Sequence, residues 1–135
     1  MIHIHRNVVD EMHAHGRKGF PHEVVGGLLG ANDAFTKTIS FENENETLPE
    51  RRYEASATQV MNAERDAIRE GLGLLGFYHT HPNHPAQPST TDVEHCVPGY
   101  LYAILSVLDG EPDALTLWIL GPDGDEMLPV SYEIV

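Results

Sequence analysis

The apolar residues of this chain follow a strand-like pattern over most of its length. Short segments either alternate between apolar and polar residues or run as continuous apolar stretches, as half-buried and fully buried strands do. These segments are residues 2–5, 24–29, 35–42, 72–80, 100–108, 115–120 and 127–134. Turn signals follow several of them, including Asn32-Asp33 and Asp109-Gly110. The pattern therefore predicts a sheet of several short strands.

A first helix is predicted directly after the first strand. Asn7 is expected to be its N-cap, and Gly19 lies near its end. We expect His15 to be exposed on this helix. The buried stripe is expected to consist of Val8, Val9 and Met12.

A second helix is predicted from Ser56, because Ser56 and Gln59 have the spacing of a capping box and Gly71 marks the end. Its buried stripe is expected to consist of Val60, Met61, Ala67 and Ile68. A third, short helix is expected at residues 92–97. Strands outnumber helices, so we predict an α/β fold in which helices pack on a mixed sheet.

Length and charge limit the classes of protein that fit. At 135 residues, the chain is expected to form one domain over residues 1–135. A net charge of −13 argues against nucleic acid or an anionic membrane as a partner, because both would repel such a surface. The single cysteine, Cys96, excludes an internal disulfide, and no apolar run approaches the roughly 18 residues of a membrane span. A cytoplasmic protein is therefore expected.

Two histidines stand at the end of the 72–80 strand. Side chains alternate along a strand, so His79 and His81 should project from one face, with Cα atoms about 6.5–7 Å apart. Pro82 should end the strand, because proline cannot donate to a sheet ladder. This spacing suits two ligands of one zinc ion. A pair of solvated surface histidines is the alternative.

Two carboxylates accompany the histidines. Asp92 follows His81 after a proline-rich turn, where it could supply a third ligand, but Ser89 and Asp92 also have the spacing of a capping box. The two interpretations are compatible, because capping would fix the direction of the Asp92 side chain. Glu23 precedes the buried 24–29 strand, where a carboxylate either points into a site or lies in a solvated loop.

Together these residues resemble the JAMM signature of the MPN-domain (MPN+) zinc metalloproteases. The family pattern is a distant Glu, then H-[S/T]-H-P, a short spacer, and S-x-x-D. Here Glu23 is followed by His79-Thr80-His81-Pro82, and seven residues separate His81 from Ser89. The flanks P-x-E-x-x-G, L-G-F-Y and P-A-x-P-S also match. Val25 stands where many members carry Cys. The resemblance covers nearly the whole chain and is nearest to the small stand-alone prokaryotic members.

The resemblance implies a role for each motif residue. His79, His81 and Asp92 would bind Zn²⁺, with water in the fourth position. Glu23 would be the general acid–base catalyst, and Ser89 would donate a hydrogen bond to the tetrahedral oxyanion. The implied reaction is hydrolysis of an amide or isopeptide bond without a covalent intermediate.

The resemblance also implies a substrate. It is a ubiquitin-like or sulfur-carrier protein that ends in Gly-Gly, whose tail would pair with a sheet edge at Arg51–Tyr53 or with the loop after Pro82. A homodimer of this chain is considered as well. Two alternatives are a zinc amidase that acts on a small-molecule conjugate and a non-catalytic MPN scaffold module. A deaminase is a poor match because the chain has no C-x-x-C.

Overall fold

The computed structural model describes residues 1–42 and 56–135. The described residues form a mixed eight-stranded sheet and three helices, which confirms the predicted fold class. The elements are β1 (Ile2–Ile4), α1 (Arg6–Gly19), β2 (Val25–Ala31), β3 (Ala34–Phe41), α2 (Ala57–Arg69), β4 (Gly73–Pro82), α3 (Thr90–His95), β5 (Leu101–Leu108), β6 (Glu111–Leu120), β7 (Met127–Pro129) and β8 (Tyr132–Ile134). The strand edge predicted at Arg51–Tyr53 lies outside the described residues.

The sheet has the strand order β7-β6-β5-β4-β2-β3-β1-β8. β4 lies in the middle, antiparallel to β2 and parallel to β5. The sequence predicted one terminal strand over residues 127–134, but this segment forms two strands at opposite ends of the sheet. Only Val130 and Ser131 separate them, and three residue steps span at most about 10 Å. The sheet must therefore curl until its two ends nearly meet.

Helix α1 fills the concave side of this curled sheet. The predicted residues Val8, Val9 and Met12 are buried there, in one cluster with residues such as Tyr78 and Leu105. At Gly16 a Cβ would approach the side chains of Val107, Thr80 and Leu105 within 3.2–3.4 Å, so glycine permits close packing. The concave side holds the main hydrophobic core.

Helix α2 covers the opposite face of β2 and β4. A second, smaller core lies beneath it, formed by Val25, Phe41 and Ala63 with Phe77 packed against them. Because side chains alternate along β4, Phe77 shares this face with residues 79 and 81, whereas Tyr78 and Thr80 face α1. The sheet register thus places both histidines on the convex side.

Two predictions about α1 were wrong. The helix begins at Arg6 with His5 as N-cap, and the Asn7 side chain instead donates a hydrogen bond to the carbonyl oxygen of Thr36 on β3. His15 is half-buried rather than exposed. Its Nδ1 lies 2.7 Å from the Tyr78 hydroxyl, with the two rings edge to face. In both cases a hydrogen bond to a distant strand determines where the side chain lies.

The predicted buried stripe of α2 was half wrong. Ser56 caps the helix as expected, and its hydroxyl accepts a hydrogen bond from the backbone of Gln59. However, Met61 and Ile68 are 68% and 71% exposed, and the side chains buried against the sheet are the small ones of Ala63 and Ala67.

None of the helices in the described part of the chain is long and apolar enough to cross a membrane.

Candidate metal centre

The two histidines of β4 lie deep in the structure. His79 and His81 are 1% and 7% exposed. β4 is paired on both sides, with His79 opposite Val25 on β2 and Ile104 on β5, and this pairing fixes the height of each imidazole on the sheet. A solvated surface pair, the alternative raised by the sequence, does not describe them.

Helix α3 brings a carboxylate to these histidines. Ser89 is the N-cap and Asp92 the third helical residue, and both hydrogen bonds of the predicted capping box are present. The Ser89 hydroxyl accepts from the Asp92 amide at 3.0 Å, and the Asp92 Oδ2 accepts from the Ser89 amide at 2.9 Å. The cap therefore turns the buried Asp92 carboxylate back toward the sheet.

The three side chains converge on one point. The Nε2 atoms of His79 and His81 lie 3.1 Å apart. The Asp92 Oδ1 lies 3.1 Å from Nε2 of His79, and its Oδ2 lies 3.1 Å from Nε2 of His81. All three residues are buried, and their ligand atoms lie within 4.8 Å of one another.

This donor set fits a zinc ion. Two atoms bound to one tetrahedral zinc at its usual bond length lie roughly 3.3 Å apart, close to the separations found here. Two imidazole nitrogens and one carboxylate oxygen are also the ligand types of a zinc site that keeps a position open. Without a cation or a proton between them, the lone pairs of two Nε2 atoms directed at one point would repel each other.

The charge of the Asp92 carboxylate also suits a cation. Burial raises the pKa of Asp92, but hydrogen bonding with His79 and His81 outweighs it and holds the pKa well below the usual range. Burial lowers the pKa of His79. For His81, burial is outweighed by hydrogen bonding to Asp92 and to the Pro85 carbonyl, which raises the pKa. The centre therefore holds a carboxylate anion at neutral pH.

The Pro85 carbonyl fixes which nitrogen of His81 faces the centre. It lies 2.8 Å from Nδ1 of His81, and a carbonyl oxygen can only accept a hydrogen bond. Nδ1 must therefore carry the hydrogen, and Nε2 of the neutral ring presents its lone pair. This role is not visible in the sequence, because no property of a proline in a turn reveals where its carbonyl points.

A cavity of about 460 Å³ opens beside the centre. Its wall includes Glu23, His81 and Ser89, so the structure brings these predicted residues to one space. Glu23 is only 8% exposed, and burial raises its pKa to about 8, a shift that His81 partly opposes. Its carboxyl therefore has a pKa near neutrality, where it can both accept and donate a proton.

Thr80, between the two histidines, holds the backbone next to Glu23. Its hydroxyl accepts a hydrogen bond from the Val24 amide at 2.9 Å, and its own amide donates to the Val24 carbonyl at 3.1 Å. The two hydrogen bonds between Val24 and Thr80, which lie 56 residues apart in sequence, thus hold Glu23 next to the two histidines.

Replacing Thr80 with Val should destabilise the protein by about 1–3 kcal/mol. Valine has nearly the shape of threonine, so packing is kept, but the buried Val24 amide loses its hydroxyl acceptor. Chemical denaturation of the two proteins measures this difference. Thr80→Ser, which keeps the hydroxyl, is the control and should recover most of the loss. Equal stability of Thr80→Val and the original chain would show that the hydroxyl has no part in holding Glu23.

Comparisons with known proteins identify a family and relatives of this chain. Residues 5–120 match the model of the family described as prokaryotic homologs of the JAB domain. The chain is similar to a desampylase of Haloferax volcanii, with 35% identity over 103 residues, 72% of this chain and 74% of that protein. It is also 29% identical to a probable TtuB-protein conjugate cleaving protease of Thermus thermophilus, over 94% of this chain and 80% of the relative.

A solved structure has the same fold. The solution structure of a Desulfitobacterium hafniense protein superimposes with a TM-score of 0.86 at 25% identity, covering 100% of this chain and 93% of that one. The family match extends over both Glu23, two residues before β2, and the β4–α3 segment, which carries the histidines and Asp92. The chain therefore belongs to the JAB-domain family, as one of its prokaryotic homologs.

Proposed function

We propose that this protein is a zinc-dependent isopeptidase. It hydrolyses the amide or isopeptide bond that follows the C-terminal Gly-Gly of a ubiquitin-like or sulfur-carrier protein. The observation that carries this proposal is the buried group of His79, His81 and Asp92 on the edge of a cavity that Glu23 and Ser89 also line. The names of two relatives, a desampylase and a TtuB-protein conjugate cleaving protease, support the substrate class.

His79, His81 and Asp92 are the residues that would hold the zinc. When bound at such a site, zinc lowers the pKa of a water toward neutrality and polarises the substrate carbonyl. Three protein ligands would leave a tetrahedral zinc one further position for water or for the substrate carbonyl, and one of the three, His81, lines the cavity. The absence of a fourth protein ligand among the described residues of the cluster favours catalysis over a purely structural role.

Glu23 supplies the proton transfers. As the oxygen of the attacking water bonds to the substrate carbonyl carbon, the Glu23 carboxylate accepts the proton that the water loses. When the C–N bond breaks, the same carboxyl delivers that proton to the leaving amine. A pKa raised by burial to about 8 suits both steps, because the protonated and ionised forms of Glu23 then differ little in free energy near neutral pH.

Ser89 stabilises the negative charge that develops on the carbonyl oxygen. Its oxygen already accepts a hydrogen bond from the Asp92 amide, so its one hydroxyl hydrogen is available to donate toward the cavity. One hydroxyl therefore caps α3, which carries a zinc ligand, and serves as a donor to the oxyanion.

Ser89→Ala should lower the rate of cleavage by about 10²–10³, the usual effect of removing one oxyanion donor. It should also cost about 1 kcal/mol of stability through the lost cap. Steady-state kinetics and denaturation measure the two effects separately. Ser89→Thr keeps both the cap and the donor, so it should retain most of the activity. A wild-type rate in Ser89→Ala would remove Ser89 from the mechanism.

The cleavage reaction itself tests the proposed function. Two substrates differ only in the tail: a ubiquitin-like protein ending in Gly-Gly joined through an isopeptide bond to a lysine of a reporter, and the same conjugate ending in Ala-Ala. We expect zinc-loaded protein to cut the first directly after the second glycine, as identified by mass spectrometry, and to leave the second intact, because the proposed specificity is for a tail without side chains. Failure to cut either conjugate, or equal cutting of both, would contradict the proposal.

A further inference from the structure

We infer that Ser106 and Thr116 are positioning residues that hold the loop at residues 83–87 so that its Pro85 carbonyl orients His81. The inference rests on the proposed function in that His81 is taken as a zinc ligand. Neither residue belongs to the family pattern: Ser106 lies on β5 and Thr116 on β6. Each acts on His81 only through the backbone of the loop.

The loop has open space on two of its sides. The cavity beside the zinc ligands is lined by His84, Pro85 and Gln87. A second cavity, of about 410 Å³, is lined by the same three residues and also by Ser106 and Thr116. Because the loop forms a wall between two cavities, side-chain packing restrains it less than it would a buried segment. Hydrogen bonds must supply much of the restraint.

Three consecutive carbonyls of the loop accept hydrogen bonds from side chains. The Ser106 hydroxyl donates to the His84 carbonyl at 2.7 Å. His81 Nδ1 donates to the Pro85 carbonyl at 2.8 Å, and the Thr116 hydroxyl donates to the Ala86 carbonyl at 2.7 Å. The carbonyl that orients His81 is therefore held by anchored peptide groups on both sides, which leaves it little freedom to rotate.

The sheet register explains why Ser106 reaches this loop. Ser106 pairs with His81 on the neighbouring parallel strand, and the two side chains therefore share a face. The pairing of β5 with β6 shifts at Ser106, where Asp113 and Ala114 lie opposite a single residue. Such a bulge redirects side chains locally. Ser106 is 2% exposed, although it stands in an otherwise apolar strand.

Thr116 is itself oriented by a donor. The indole Nε1 of Trp118 lies 2.8 Å from the Thr116 hydroxyl oxygen, and an indole nitrogen can only donate. Thr116 must therefore accept from Trp118 and use its one hydrogen elsewhere. The Ala86 carbonyl at 2.7 Å is the closer acceptor, since the Ile104 carbonyl is 3.5 Å away. The two hydrogen bonds therefore run in one direction, from the Trp118 indole through the Thr116 hydroxyl to the Ala86 carbonyl of the loop.

Two measurements separate positioning from a merely structural role. The first is the dissociation constant for Zn²⁺, obtained by competition with a chelating dye. The second is the imidazole ¹H–¹⁵N correlation spectrum of His81 in the metal-free protein at alkaline pH, where the ring is neutral and the spectrum reports which nitrogen carries the hydrogen. Both are made on Ser106→Ala, Thr116→Val and the double variant.

We expect each single variant to bind zinc more weakly, by no more than the roughly 10–100-fold that follows from losing a ligand's direct hydrogen-bond partner, because each change loosens the loop that carries this partner without removing it. We expect the fraction of His81 in the Nδ1–H form to fall, because the Asp92 carboxylate beside Nε2 competes with the Pro85 carbonyl for the single hydrogen of the neutral ring. Thr116→Ser keeps the hydroxyl and should restore both properties. Thr38→Val makes the same chemical change on β3, two strands away from β4, and should alter neither.

Unchanged zinc affinity together with an unchanged His81 form in the folded double variant would overturn the inference. Trp118→Phe provides a milder test if the double variant does not fold, because it removes only the donor that directs Thr116. Neither readout requires a substrate. Zinc affinity and tautomer can therefore shift as expected even if no Gly-Gly conjugate is cleaved, in which case the proposed function fails and the positioning inference stands.

Discussion

Replacing Glu23 with Gln should lower the rate of conjugate cleavage by about 10²–10⁴-fold, the usual contribution of a general acid–base catalyst, with no loss of zinc. Gln has nearly the shape of Glu but cannot accept the proton of the attacking water. Glu23 belongs to the cavity wall and not to the cluster of ligand atoms formed by His79, His81 and Asp92. Zinc content is measured by elemental analysis and cleavage by steady-state kinetics on the same preparation.

The same substitution should stabilise the metal-free protein at neutral and alkaline pH. Burial raises the pKa of Glu23 from 4.5 to about 8, so ionisation of this group costs folding free energy. The cost is absent below pH 4.5, grows as the pH rises toward about 8, and is constant above that. In thermal unfolding across this range, the stability of Glu23→Gln relative to the original chain should increase as the pH rises. A variant that loses activity together with stability or zinc would instead indicate a misfolded site.

Replacing His81 with Ala should abolish zinc binding at stoichiometric metal and reduce cleavage to the background rate. Two contacts are lost at once. The first is the Nε2 ligand atom, which lies 3.1 Å from Nε2 of His79 and 3.1 Å from Oδ2 of Asp92. The second is the hydrogen bond to the Pro85 carbonyl. The loss of affinity should exceed the roughly 10–100-fold that follows from removing an outer hydrogen-bond partner. Dye competition and elemental analysis measure it.

His3→Ala is the matched control for this variant. His3 lies on β1, is exposed, and its nearest ionic partner is Glu133 at 3.9 Å, so its loss should affect neither zinc nor cleavage. If His81→Ala still bound one zinc per chain as tightly as the original protein, the assigned ligand set would be wrong. The control shows whether loss of a histidine outside the cluster, one of nine in the chain, also lowers metal retention.

Much of the group formed by His79, His81 and Asp92 could be predicted from the sequence because its geometry is local. Period-two alternation alone puts His79 and His81 on one face of a strand, and the capping box fixes where Asp92 points. Both features depend on residues within a few positions of each other, and the structure contains both. Glu23 is different. Its place beside the cavity depends on the pairing of β2 with β4, and only the family pattern linked it to the histidines.

The errors arose where long-range contacts decide the outcome. Hydrophobicity ranked Met61 and Ile68 above alanine, but close approach of α2 to the sheet selects the smallest side chains, Ala63 and Ala67. Ser106 and Thr116 were overlooked because a lone hydroxyl in an apolar strand gives no hint of its partner. A buried Ser in an apolar run needs an acceptor, however, and that requirement is a usable signal.

Stoichiometric reactivation tests the proposed function most directly. The protein is stripped of metal with a chelator, Zn²⁺ is added back in measured equivalents, and the initial rate of cleavage of the Gly-Gly conjugate is recorded at each step. We expect no cleavage without zinc, a linear rise, and a plateau at one equivalent per chain. Cleavage by the stripped protein at the full rate, or a rate that stays at background after one equivalent, would contradict a single catalytic zinc held by His79, His81 and Asp92.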